Sequence, residues 1–309
     1  MSVIQREQRT LSGKMLEADF YPVNSGGARL PSEDRRKVPK EVQDRYNRQR
    51  AIRDFVRKIN CNFDNTDYYM TITYRPDTAP ETLADAEKDI KNYIRRIRYA
   101  RGKELKTLEA EKREVVRAQK GTKAASVLAG MRKKIVKQIK KLSEPLRYAY
   151  VIEEVTYRRG ENKGKTNYHF HMFVTGGLDR DTAEALFGKG SRVSCDTYKP
   201  ERFGFDAAAL YMQKDPRGKK SFVCSKNMKK PIKAAPLDGR ITARGVEKLA
   251  RERTDDAAYW ERRYKGYRFV RAYSRYNSYN GYWYVSVVMY KTKETAPPIC
   301  DGTDEIFMI

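Results

Sequence analysis

Two strand-like runs, RYAYVIEEVTY (147–157) and NYHFHMFVTG (167–176), face each other across the polar, glycine-containing stretch RRGENKGKT. Both are rich in β-branched and aromatic residues, and the connection between them carries turn chemistry, so they predict a β-hairpin. Strands joined in hairpins, and not alternating with crossover helices, make this an α+β chain with a central, mainly antiparallel β-sheet and flanking helices.

The rest of the chain fills in around that hairpin. Residues 1–50 contain SGGARLPSEDRRKVPK, with Gly, Pro and charge but no sustained apolar period, and are expected to form a basic, flexible N-terminal arm. YYMTITYR (68–75) reads as a strand stopped by Pro76, and ETLADAEKDIKNYIRRIRYA (81–100) as a helix. Residues 103–142 are rich in Lys, Glu and Ala, break near GTKAAS, and predict an inserted helical hairpin whose lysine-rich half reads first as a solvated face. DRDTAEALFG predicts a helix with an Asp cap, SRVSCDTY a strand and DAAALYMQK (206–214) a short helix. Beyond Pro236 a helical stretch leads to YRFVRAYSRYNSYNGYWYVSVVMYK, a tyrosine-rich hairpin turning at Asn280-Gly281. The expected organisation is an arm over 1–50, a main domain over 51–235 and a C-terminal α/β extension over 236–309.

Sixty-five Lys and Arg against 40 acidic residues give a net charge of +25, an excess that calls for a polyanionic partner. No run of 18 or more apolar residues exists, and the start MSVIQREQRT lacks a signal-peptide core, so a soluble, cytoplasmic protein with no membrane partner is expected. Cys61, Cys195, Cys224 and Cys300 form no C-x-x-C pair and read as reduced structural thiols.

GENKGKT invites comparison with a phosphate-binding loop, which needs G-x-x-x-x-G-K-[ST] between a strand and a helix. Gly160 and Gly164 are separated by only three residues, and a strand pattern follows Thr166. The chain therefore carries no nucleotide cofactor site of this kind and no motor of its own.

The chain has two histidines, His169 and His171, both in one tripeptide. On a strand, residues i and i+2 project from one face, so the two imidazoles can share a divalent ion while Phe170, Met172 and Val174 face the other way. With no third histidine, a further ligand must be a carboxylate, an amide or water. Glu153 and Glu154 lie on the partner strand and point to opposite faces, so at most one can join. Two imidazoles, a carboxylate and open positions suit Mg2+ or Mn2+ as a Lewis acid, although the nitrogen ligands also admit zinc, cobalt or nickel.

The histidine–hydrophobic–histidine strand, the upstream YYMTITYR strand and the downstream ALYMQKDPRGKKSFVCSKNMKKP together resemble the HUH endonucleases, in particular single-tyrosine rolling-circle replication initiators of plasmids and phages. The resemblance spans about residues 65–232. It implies an HUH nuclease, RRM-like sheet, metal binding by His169 and His171, and attack by Tyr211 on a DNA phosphodiester to leave a 5′-phosphotyrosine and a free 3′-OH. A pattern of two hydrophobic residues and Glu ending the first strand would select Glu153 as the third ligand. Lys214, three residues after Tyr211, shares its helical face and can favour phenolate. An ordinary phenol, with a pKa of about 10, is only about one part in a thousand ionised at neutral pH, so a cation there has an effect to exert. LYMQKD contains no second tyrosine, which speaks against a two-tyrosine mechanism. A relaxase or transposase would share this chemistry, and a non-catalytic DNA-binding protein would share only the charge.

Arg217, Lys219, Lys220, Lys226, Lys229 and Lys230 surround the expected nucleophile helix and are candidate phosphate contacts. Tyr264, Tyr267, Tyr273, Tyr276 and Tyr279 interleave with arginines and read equally as stacking platforms for bases or as packed strand residues. Single-stranded or origin DNA is the expected partner, with a host helicase and replication machinery supplying strand separation.

Overall fold

A computed structural model describes residues 3–25, 40–119, 125–156, 159, 163–197, 204–212, 222–278 and 280–292. The chain divides into two units, one made of residues 1–62, 200–207 and 229–309 and the other of residues 63–199 and 208–228. Each is built on its own antiparallel sheet, so the α+β class holds with two sheets where one was expected.

The second unit contains the predicted hairpin. Strands β3 (Tyr68–Tyr74), β4 (Tyr148–Thr156), β5 (Thr166–Val174), β6 (Gly190–Thr197) and β7 (Val223–Cys224) form a sheet in the order β6-β3-β5-β4-β7, which makes β5 the central strand. One face is apolar: Met70, Ile72 and Tyr74 of β3, Tyr150 and Ile152 of β4, and Phe170, Met172 and Val174 of β5 pack against Ala86, Ile90, Tyr93 and Ile97 of helix α2 (Leu83–Ala118). Thr82 caps α2 by accepting from the Asp85 N–H, and Asp179 caps α4 (Arg180–Ala185) by accepting from the Thr182 N–H, as its sequence predicts.

Helix α2 differs from expectation. It runs unbroken through Gly102, where a side chain would meet nothing within 4 Å, so the helix that covers the sheet is also the first arm of the helical hairpin. A solvent-facing glycine lowers helix propensity by only about 1 kcal/mol, too little to end a helix anchored by packing on one side. The second arm, α3 (Ala125–Ser143), returns to the sheet. Its end is fixed by the buried Arg101 guanidinium, which donates to the carbonyls of Lys141, Leu142 and Glu144 and, on its other nitrogen, to those of Thr175 and Gly176.

The first unit overturns the expected domain boundaries. Residues 3–24, read as part of a flexible arm, form the hairpin β1 (Val3–Ser12) and β2 (Met15–Asn24). The 236–309 segment is no separate extension: its strands β10 (Tyr267–Asn277) and β11 (Tyr282–Lys291) join that hairpin through β11–β2 pairing, giving the order β10-β11-β2-β1-β8, with β9 (Leu237–Asp238) also on β1 and β8 at Ile232–Lys233. Strand β1 escaped detection because its buried positions are polar: Gln5, Glu7, Thr10 and Ser12 are all buried, so no apolar alternation marks it. Strand β2 does alternate, with Leu16, Ala18 and Phe20 buried, a signal that the reading of residues 1–50 as an arm passed over.

At the β1–β2 turn Gly13 has φ +61°, and a Cβ there would lie 2.0 Å from the Asn60 carbonyl oxygen of α1 (Lys40–Asn62). Helices α6 (Ala243–Glu252) and α7 (Ala257–Arg263) cover one face of this sheet, with Val246, Leu249, Trp260 and Tyr264 on Leu16, Ala18, Phe20, Val285, Val287 and Met289. Among the described residues no helix is long and apolar enough to cross a membrane.

Candidate functional site

The face of the second unit's sheet opposite its apolar core is where the sequence candidates fall. Register places Thr73, His169 and Glu153 in one cross-strand row and Thr71, His171 and Val151 in the next. His171 is buried and His169 half-buried. Glu153 turns to this face, whereas Glu154 pairs with Tyr168 and is exposed, so the carboxylate beside the histidines is that of Glu153.

His171 is the centre of the arrangement. Its Nε2 lies 3.2 Å from Glu153 Oε2, and its Nδ1 lies 3.2 Å from the Tyr69 hydroxyl and 3.4 Å from Thr71 Oγ1. The Tyr69 ring runs nearly parallel to the imidazole, at 11° and 6.2 Å between centroids. Tyr211, on the short helix α5 (Asp206–Met212), stands edge-on at 5.3 Å and 85°. It is 56% exposed, while Ala208, Ala209 and Met212 of the same helix are buried. The phenol is thus held beside the imidazole with its surface open to a substrate.

Burial pushes both imidazoles below their ordinary value of 6.5, and the Glu153 carboxylate pulls each back up only in part. Neutral imidazole is the form that can ligate a cation. The 3.2 Å between His171 Nε2 and Glu153 Oε2 is also close to the separation of neighbouring ligands on one octahedral cation, about 3 Å for bonds near 2.1 Å. Among the described residues no three His, Cys, Asp or Glu side chains converge as a ready-made metal cluster. The donor types fit a divalent cation nonetheless: two neutral imidazoles on one face and a carboxylate facing one of them across the hairpin.

Lys214, Arg217, Lys219 and Lys220 lie outside the described residues. Lys226, Lys229 and Lys230 are exposed, but they divide between the units, Lys226 in the second and the other two in the first. The Lys229 backbone is pinned at both ends by Asn62, which accepts from its N–H at 2.7 Å and donates to its carbonyl at 2.9 Å.

Sequence reasoning missed Tyr69 and Thr71. Their signal was present in YYMTITYR, where alternation sets Tyr69, Thr71 and Thr73 on one face, but only the pairing of β3 with β5 shows which residues that face meets.

No family model, curated protein or solved structure matches this chain.

Proposed function

We propose that the chain is a divalent-metal-dependent, single-tyrosine DNA strand transferase of the HUH type, acting as a rolling-circle replication initiator. The observation that carries this reading is the convergence on His171 of Glu153 at 3.2 Å and Tyr211 at a ring separation of 5.3 Å. An exposed phenol beside a neutral imidazole and a carboxylate, on the face of a five-stranded antiparallel sheet opposite its apolar core, is the arrangement that this chemistry requires. The net charge of +25 supplies the affinity for DNA.

In the proposed reaction the Tyr211 phenolic oxygen forms a bond to phosphorus as the P–O3′ bond breaks. The phenol gives up its proton and the departing 3′ oxygen gains one, leaving a 5′-phosphotyrosine and a free 3′-OH. One phosphodiester replaces another, so rejoining needs no nucleotide, in keeping with the absent phosphate loop. His169, His171 and Glu153 would hold the cation, Mg2+ or Mn2+, which supplies Lewis-acid polarisation of the scissile phosphate. Strand separation would fall to a partner helicase of the host replication machinery, in the cytoplasm.

Supercoiled DNA bearing the cognate origin, incubated with the protein and Mn2+, is expected to give nicked circles covalently joined to Tyr211. Full nicking by Tyr211→Phe would overturn the assignment.

A further inference from the structure

The aromatic and basic residues at the tip of the β10–β11 hairpin lie in the first unit, whereas the site around His171 lies in the second. Of the tyrosines that interleave with arginine in this region, Tyr264 and Tyr267 are buried and belong to the core, whereas Tyr273 and Tyr276 are 51% and 52% exposed. Tyr279 lies outside the described residues. Burial in the core therefore accounts for one pair and leaves about half the surface of the other exposed.

Tyr276 is directly opposite Trp283 across the hairpin, with ring centroids 5.2 Å apart and planes 53° apart. Trp283 is partly buried against the core cluster, and the Arg251 guanidinium lies 5.3 Å from its ring centroid. Arg251 is in turn held by Glu247 at 2.9 Å. The result is a packed row of side chains fixed from the helix side outward, with the Tyr276 ring tilted against Trp283 as its half-exposed end. Strand alternation turns the next residue, Arg275, to the opposite face, where its guanidinium lies 5.5 Å from the Tyr284 ring and Tyr273 is its exposed neighbour.

We infer that this hairpin tip binds single-stranded DNA by stacking an unpaired base on Tyr276. Pre-oriented aromatic faces beside guanidinium groups give sequence-tolerant stacking on bases that a paired duplex does not offer. The choice of DNA as the strand rests on the proposed nicking function. The tip itself is independent of Tyr211.

The chain has two tryptophans, and Trp260 is fully buried, so emission from Trp283 reports on the tip. Titration of the full-length protein with a thymidine oligonucleotide is expected to quench that emission. Tyr276→Ala should weaken the affinity so measured by about tenfold or more, and Tyr276→Phe, which keeps the ring, should retain it. The Trp283 signal reads binding and needs no cleavage, so failure of the nicking assay and failure of this proposal are distinguishable. The proposal is overturned if the oligonucleotide leaves Trp283 emission unchanged, if Tyr276→Ala binds as tightly as the wild type, or if a uridine ribo-oligonucleotide of equal length binds more tightly than the DNA.

Discussion

Each of the two sheets carries carboxylate chemistry in its interior strands, and the two treat it in opposite ways. On β2, Glu17 is buried and both its oxygens are taken: Arg57 donates at 3.1 and 2.7 Å and Arg53 at 2.9 Å. Its neighbour Asp19 accepts twice from Arg53 at 2.6 Å and also from the Ser286 hydroxyl. On β4, Glu153 is only partly buried and its partner is an imidazole, with an exposed phenol alongside. Saturated charge is structural, because the oxygens of both carboxylates already have their donors. A carboxylate facing a neutral imidazole retains coordinating capacity, and that leaves it available for a ligand.

The sharpest way to break this contrast is to remove a partner from each cluster. Arg57→Met should cost about 3–5 kcal/mol in urea unfolding, because it leaves a buried carboxylate short of its main donor. Glu153→Gln should cost less than about 1 kcal/mol. Equal losses would erase the distinction.

Under the proposed function, metal binding should respond in the reverse order. His171→Ala and Glu153→Ala are expected to reduce Mn2+ affinity, measured by calorimetry, beyond the roughly 100-fold reached by removing an outer partner. Arg57 substitutions that still fold should leave Mn2+ affinity intact.

Acid sharpens the comparison from the other side. Burial alone would raise the Glu17 carboxyl, but Arg57 and Arg53 hold it below its ordinary value of 4.5. The stability from its ionisation is therefore complete above pH 4.5 and is lost as pH falls through the lowered folded value. In Glu17→Gln the loss should already be present at neutral pH, and the stability curve below 4.5 should be flatter than that of the wild type.

The smallest expected effect is at Tyr69. Tyr69→Phe removes the hydroxyl behind His171 Nδ1 and should weaken Mn2+ binding about tenfold while changing stability by less than about 1 kcal/mol. A loss of folding in place of affinity would assign Tyr69 to the core.

What the sequence determined by itself was local. Period-two alternation put His169 and His171 on one face and Phe170, Met172 and Val174 on the other, Asp179 announced its helix cap, and Asn280-Gly281 marked the last hairpin, where Gly281 has φ +72°. These features depend on neighbours a few residues apart, so the pattern that encodes them is contiguous. Tertiary structure decided which strands met. The β1–β2 hairpin joined β11 from the far end of the chain, and the buried polar residues of β1 hid the first of its strands. Register brought Glu153, and not Glu154, to His171, and placed Tyr69 and Thr71 behind it. Alternation fixes the face a side chain takes, but the neighbour it finds there is set by non-local pairing, which no short stretch of sequence contains.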